Sequence, residues 1–360
     1  MGYGMIALNR AAPRLLSIAT AVPPHMLCQS EARALAEQLF GESFGDLDRL
    51  LPVFSNAGIE RRYSCVPLDW YNQDHSWSDR NQLYIDNARE LLVEAGRAAL
   101  DAAGTDPADI DSIVTVSTTG IATPSLDAYL LERLGLRPTT RRLPIFGLGC
   151  AGGVLGLGRA GEIATASPEG CVLFLVVELC GLTFRRRDRS KSNFVATALF
   201  GDGAAGAVLA GPRADGSSDA PALAGWGEHT WPSSLDVMGW RVEDDGLAVV
   251  FSRDIPAIVR ERLAEATDGF LENQTLGRAD IDHYICHPGG AKVLDALEDL
   301  YDLHRGSLTL SREVLRDYGN MSAATVLFVL ERALEEGRRG RLLLTTLGPG
   351  FTAGFATLET

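Results

Sequence analysis

The chain has 360 residues, 46% of them hydrophobic, and carries a formal net charge of −14 at pH 7. That apolar content is ample for a large core in two domains or one double-sized unit, and it argues against disorder. The acidic balance argues against a general nucleic-acid surface, because phosphate binding needs clustered lysine and arginine.

The basic runs Arg61-Arg62 and Arg185-Arg186-Arg187 are short, and each taken singly reads as a solvated face. At the N-terminus no uninterrupted apolar run follows the basic residues, and no run approaches the ~20 residues that span a bilayer. The expectation is an unexported, cytoplasmic protein without a membrane span. The six cysteines, at positions 28, 65, 150, 171, 180 and 286, form no C-x-x-C pair, so neither a zinc site nor a disulfide framework is expected.

Along the chain, apolar residues at three- and four-residue spacing predict a helix over 84–103, a strand follows at 112–117 (SIVTVS), and a second helix covers 126–134. The run 145–154 (IFGLGCAGGV) places Cys150 where an apolar segment turns into a helix. Strands are predicted at 171–178 (CVLFLVVE) and 204–209 (AAGAVL). The segment 211–221, rich in breakers and polar residues, reads as a linker and divides the chain into 1–213 and 214–360. Beyond it come a short strand at 283–286, a long amphipathic helix over 323–336 and a strand at 342–347 (LLLTTL). Alternation of this kind predicts an α/β architecture with strands buried on both faces.

Three residues are candidates for chemistry. A thiol at a helix N-terminus meets unpaired N–H groups and the helix dipole, which lower its pKa, so Cys150 reads as a nucleophile; a buried structural cysteine is the alternative. His287, in YICHPGG, ends a strand where ligand-facing groups of open sheets collect, or else occupies a turn. Asn320, in YGNMSAA, precedes a helix and would serve as an N-cap if nothing more. Together they fit one reaction. A cysteine can accept an acyl group from a thioester, while an imidazole and a side-chain amide hold the developing enolate of a decarboxylating malonyl unit. No metal or bound cofactor is needed for this decarboxylative Claisen condensation.

The words GLGCAGG, ICHPGG and YGNMSAATVLFVL, in this order, resemble the type III polyketide synthases of the chalcone synthase superfamily. ALFGDGAA at 198–205 and GPGF at 348–351 are similar to two further elements of that family. The resemblance implies a thiolase fold, two duplicated α/β halves forming a layered αβαβα core with the site between them, and a homodimer. Cys150 would be the nucleophile, His287 and Asn320 its catalytic partners, and Phe200 an aromatic gatekeeper, with core packing as the alternative for Phe200. Substrates would be malonyl-CoA and an acyl-CoA starter, with no cofactor bound.

Departures from the plant pattern carry expectations about the substrate. Val249 stands where chalcone synthases have a second gatekeeper phenylalanine, which should widen the channel. Cys180 replaces a cavity threonine, consistent with a tunnel for an aliphatic chain, and Trp240 replaces a glycine and should partly fill the old cavity. Of the basic residues that bind coenzyme A in plant relatives, Arg49 alone is kept. Phosphate recognition is then expected from Arg61, Arg62 or the 185–187 cluster, or the starter arrives on an acyl carrier protein. Thr123 takes the place of a methionine that crosses the dimer interface. Ring closure should depend on cavity volume and on ordered water near Thr118, Thr183 and Ser322.

The resulting expectation is a synthase that extends a medium- or long-chain acyl thioester with malonyl-CoA and cyclises it to an alkylpyrone or alkylresorcinol. The alternatives are a naphthalene- or chalcone-type synthase, a ketoacyl synthase III, and a non-catalytic thiolase-fold partner, the last disfavoured by the complete set of three residues.

Overall fold

The longest apolar run, CVLFLVVEL, has no polar face, and it forms a central strand buried from Val172 to Leu179. The computed structural model describes residues 12–41, 47–214, 219–252 and 254–360. In chain order the strands are β1 (Arg14–Ala21), β2 (His25–Cys28), β3 (Arg61–Ser64), β4 (Ile110–Val116), β5 (Arg141–Ile145), β6 (Cys171–Leu179) and β7 (Asp202–Ala210). They continue with β8 (Ala222–Thr230), β9 (Met238–Glu243), β10 (Gly246–Phe251), β11 (His283–Cys286), β12 (Arg341–Gly348) and β13 (Thr352–Glu359).

Nine strands join in the order β11-β12-β13-β8-β1-β7-β6-β4-β5, while β2-β3 and β9-β10 form separate two-stranded ribbons. The halves of the large sheet meet at one pair, Arg14 opposite Ala222, and otherwise mirror each other. In the first half β6 runs parallel to β4 and antiparallel to β7; in the second β12 runs parallel to β11 and antiparallel to β13. A buried helix precedes the central strand in each: Gly152–Ala166 before β6, and Thr325–Glu335 before β12.

Those two helices lie between the sheet halves. Val154, Leu157, Val326 and Leu330 share one cluster with Val116 and Phe174 on one side and with Leu342, Leu344 and Ala356 on the other. Outside the first half packs Trp77–Ala103, and outside the second packs Ile255–Glu272, each over its own core. The order is helix, sheet, helix, sheet, helix, as expected.

Local chemistry explains where the elements end. The first long helix starts at Trp77 rather than near 84, because Ser76 caps it: its hydroxyl accepts from the Asp79 N–H at 3.1 Å, and the Asp79 carboxylate accepts from the Ser76 N–H at 3.3 Å. Leu126–Leu134 and β11 have the predicted bounds, and Gly135 in the left-handed region ends the former. The expected linker falls between β7 and β8; its residues 215–218 lie outside the described residues. No helix among the described residues is long and apolar enough to cross a membrane.

Candidate active site

Both central helices begin at the same place, and each is preceded by a tight turn that carries chemistry: Gly149–Ala151 holds Cys150, and Ser322–Ala324 follows Asn320. The approach is close because Gly153 has no side chain; a Cβ there would collide with the carbonyl oxygen of Ala323. Gly149 has φ +47, and a Cβ on it would lie 2.6 Å from the Pro349 ring, so the GPG segment packs directly on the cysteine turn. Thr346 adds a hydrogen bond to the Cys150 carbonyl at 2.7 Å.

Cys150 is 8% exposed, and burial pushes its thiol up to about 12 despite hydrogen bonds with the side chains of Ser322 and Asn320. The expected depression of its pKa is therefore corrected. The α-helix proper starts at Gly152, and loss of water around the sulfur outweighs what the helix end supplies. A base must remove the proton.

His287 ends β11 and is 5% exposed, its main-chain N–H bonded to the Thr345 carbonyl at 2.8 Å. Burial lowers its pKa to about 4, so the ring is neutral at physiological pH. Both ring nitrogens are buried without a hydrogen-bond partner. Two orphaned polar atoms in a buried ring cost free energy unless a ligand satisfies them.

Asn320 is not an N-cap, since the helix begins five residues later, at Thr325. Its Oδ1 accepts from the Ser322 N–H at 2.8 Å and its Nδ2 donates to the Gly289 carbonyl at 3.3 Å, which ties it to the turn after His287. Its main chain bridges to the other half of the chain: Asn320 N–H donates to Leu199 O at 2.8 Å, and Gly201 N–H donates to Asn320 O at 3.0 Å. Phe200 is held between those two bonds.

The Phe200 ring lies 6.2 Å from Trp240 and 5.6 Å from Phe251. Val249 pairs with Trp240 across the β9–β10 ribbon, and Phe251 shares the Val249 face of its strand. Trp240 and Phe251 thus set aromatic surface around Phe200 beside Val249; Phe251 was not among the expected residues. Thr118 accepts from the Gly149 N–H at 3.1 Å, and the Thr183 hydroxyl donates to the Cys180 carbonyl at 2.7 Å.

Glu178 was also missed. It is fully buried, accepts from the Thr118 N–H at 3.0 Å and bonds with the Ser322 side chain, and burial raises its carboxyl to about 8. The signal was in the sequence, as the one acidic residue inside the run CVLFLVVEL.

The expected phosphate ligands do not gather. Arg62 is 4% exposed, with its guanidinium bonded to the carbonyls of Thr197 and Phe200 and to Gln29, so the expectation that it binds a surface phosphate is corrected. Arg61 pairs with Asp317 at 3.2 Å, Arg185 with Asp188 and Asp245, and Arg186 and Arg187 with Asp74. Arg49 is exposed on the turn Leu47–Arg49. Among the described residues no group of three or more His, Cys, Asp or Glu side chains could hold a metal ion.

A pocket opens next to Phe200. Cys180, Thr183, Phe200 and Val249 line it, together with Ala32, Leu35, Ala36, Leu39 and Phe40 of Gln29–Phe40 and Asn193, Ala196 and Thr197 of Lys191–Leu199. Each set recurs at three- and four-residue spacing, one face per helix.

Known proteins share this architecture. The N-terminal domain of the chalcone and stilbene synthases matches residues 68–213, and their C-terminal domain matches residues 227–357. The chain is 39% identical over 355 residues to a putative chalcone synthase of Bacillus subtilis (strain 168), covering 94% of this chain and 96% of that one. It is 40% identical over 349 residues to the 1,3,6,8-tetrahydroxynaphthalene synthase of Streptomyces peucetius subsp. caesius, covering 95% and 92%. The crystal structure of the Streptomyces coelicolor A3(2) tetrahydroxynaphthalene synthase, a bacterial type III polyketide synthase, superposes with a TM-score of 0.91 at 31% identity, over 96% of this chain and 99% of that one. With its thiolase fold and both family domains, the chain belongs to the chalcone and stilbene synthases, the type III polyketide synthases that condense malonyl-CoA.

Proposed function

We propose that this synthase takes a medium- or long-chain fatty acyl-CoA as starter, extends it with malonyl-CoA and closes the product to an alkylpyrone or alkylresorcinol. Cys150 carries the acyl chain. Neutral His287 accepts the thiol proton and, with the Asn320 amide, holds the thioester oxygen as malonyl loses CO2. The Phe200 ring disfavours the charged malonyl carboxylate and accommodates the neutral carbanion equivalent that follows.

The observation that carries the starter assignment is the tunnel lined by the helices Gln29–Phe40 and Lys191–Leu199, with Cys180 and Val249 also in its wall. An apolar channel of that kind rewards an aliphatic chain by about 0.8 kcal/mol for each buried methylene. Incubation with a series of acyl-CoA starters and product mass spectrometry test it: kcat/KM should climb with chain length until the tunnel is filled. Product from malonyl-CoA alone or from aromatic starters only would refute it. The naphthalene-type reading, favoured by the Streptomyces relatives, is that second outcome.

The starter is proposed as its CoA thioester, since the cluster at 185–187 that would meet an acidic carrier protein is spent on carboxylates of its own chain. We also propose the division at 213/214 and a homodimer. Strand β5 ends the sheet with its edge open; exposed Leu143 lies on it and exposed Phe146 just after it, and Ile121 and Thr123 of the segment after β4 are exposed too. Such an edge is commonly closed by a second copy across a two-fold axis.

A further inference from the structure

We propose that Arg62 is a positioning residue for chain elongation: one buried guanidinium sets the neck between the catalytic chamber and the apolar tunnel by holding both of its sides. The inference rests on the tunnel reading above. On one side Nη1 donates to the Thr197 carbonyl at 2.7 Å and to the Phe200 carbonyl at 3.1 Å. On the other, Nη2 donates to the side-chain oxygen of Gln29, the first residue of the helix that forms the opposite wall. The Gln29 amide in turn donates to Ala198 O at 3.0 Å and Phe54 O at 3.1 Å, which locks the two helices together.

The peptide after Phe200 is pinned from both ends. Its carbonyl faces Arg62, and its N–H, on Gly201, faces the Asn320 carbonyl. With that plane fixed, the Phe200 ring has a fixed direction between Trp240 and Phe251, and ring and Arg62 both border the tunnel. Room for the guanidinium stem comes from two glycines: a Cβ on Gly201 would lie 3.3 Å, and one on Gly319 3.4 Å, from the Arg62 Cβ.

Stability does not explain the choice of arginine here. The side chain is buried, its hydrogen-bond acceptors are neutral carbonyls and an amide, its Nε has no hydrogen-bond partner, and the buried Asp202 carboxylate attracts it only through space. Burial lowers its pKa to about 10, so it remains a cation at neutral pH. A buried cation that makes no hydrogen bond to a carboxylate is costly, burial outweighs the attraction of Asp202 here, and apolar packing would often serve stability as well or better. What arginine supplies is a rigid fork that reaches three acceptors on two helices at once.

None of the hydrogen bonds of Asn320 involves Arg62, so the clamp reaches malonyl decarboxylation only through the Phe200 ring, whereas it holds both walls that meet the starter and growing chain. Arg62→Met removes both arms, Arg62→Lys keeps the charge but not the fork, and Gln29→Leu cuts the tunnel-helix arm alone. In Arg62→Met, kcat/KM for condensation on the longest accepted starter should fall about tenfold or more, and malonyl-CoA decarboxylation, which feels the clamp only through Phe200, should fall severalfold less than that. Arg62→Lys should recover part of that loss, and Gln29→Leu should shift the preferred starter length with a smaller loss. Equal losses in decarboxylation and in condensation for every starter would overturn the proposal, as would an unchanged starter-length profile in the variants. If Arg62→Met fails to fold, Arg62→Lys and Gln29→Leu decide by the same profile. Failure of the tunnel reading is seen separately, in wild type that accepts no long starter; the clamp is then read from decarboxylation against condensation with malonyl-CoA as sole substrate.

Discussion

Replacing Glu178 by glutamine should change how stability depends on pH, and the structure fixes the window. Burial raises this carboxyl from 4.5 to about 8, against the hydrogen bonds from Thr118, Thr119 and Ser322 that pull it down. Between those values the folded protein keeps a proton that the unfolded chain has released. The contribution is therefore fully present below 4.5 and is lost as pH rises through 8, at ~1.4 kcal/mol per pH unit. His287 works in the other direction: lowered from 6.5 to about 4, its contribution is complete above 6.5 and is lost as pH falls toward 4. Asp202, raised from 3.8 to about 6, has the sign of Glu178 but is mostly titrated below the window, and its remainder is common to both proteins. From pH 6.5 to 8 Glu178 dominates, and roughly 2 kcal/mol should disappear. Glu178→Gln keeps an oxygen for the Thr118 N–H and has no proton to hold. Urea denaturation at pH 6.5 and pH 8 should show the variant gaining roughly 2 kcal/mol relative to wild type across that interval. A difference between the two proteins that stays constant with pH would refute the assignment of a buried, protonated carboxyl at this position.

Ala196→Phe sets a ring into the middle of the tunnel and displaces on the order of four methylenes of a starter, so kcat/KM for long starters should fall roughly 200-fold while short starters are spared. Competition between short and long acyl-CoA substrates checks this. Asn320→Ala removes the amide that faces the thiol and should lower malonyl-CoA decarboxylation by about 10²–10³, read as released CO2. Gly153→Ala drives a methyl group into the Ala323 carbonyl; a loss of about 1–3 kcal/mol is expected by thermal unfolding, with a fall in condensation rate as the cysteine and asparagine turns are forced apart.

How much of this was legible in the sequence follows from what each feature depends on. Strands β4, β6, β7 and β12 were readable because burial on both faces leaves an unbroken apolar run. Strand β5 was not: RRLPI is an exposed edge carrying a proline, and nothing in its local pattern demands a strand. Strand β8, ALAGWGEHT, holds two glycines because Phe270 and Gln274 lie against its backbone, and those contacts come from a helix far along the chain. Cys150, His287, Asn320 and Phe200 were readable as motifs. Their assembly depends on Gly153, where a missing side chain lets two helices from different halves touch.

The electrostatics of the cysteine show why motif and mechanism are separate questions. A thiol beside a helix start invites the reading of a ready thiolate, yet the same packing that brings Ser322 and Asn320 to the sulfur also removes its water. Burial acts on His287 in the opposite sense, which leaves a neutral thiol and a neutral imidazole at rest. Each charge of a thiolate–imidazolium pair is unfavourable alone in such a site and favourable beside the other. In the proposed reaction, proton transfer is coupled to arrival of the acyl thioester, whose oxygen would give the unpartnered imidazole N–H and the Asn320 amide an acceptor. In that reaction, burial of the thiol would keep the nucleophile neutral until a substrate is in place, and would shield the acyl-enzyme from hydrolysis while the next malonyl unit is decarboxylated.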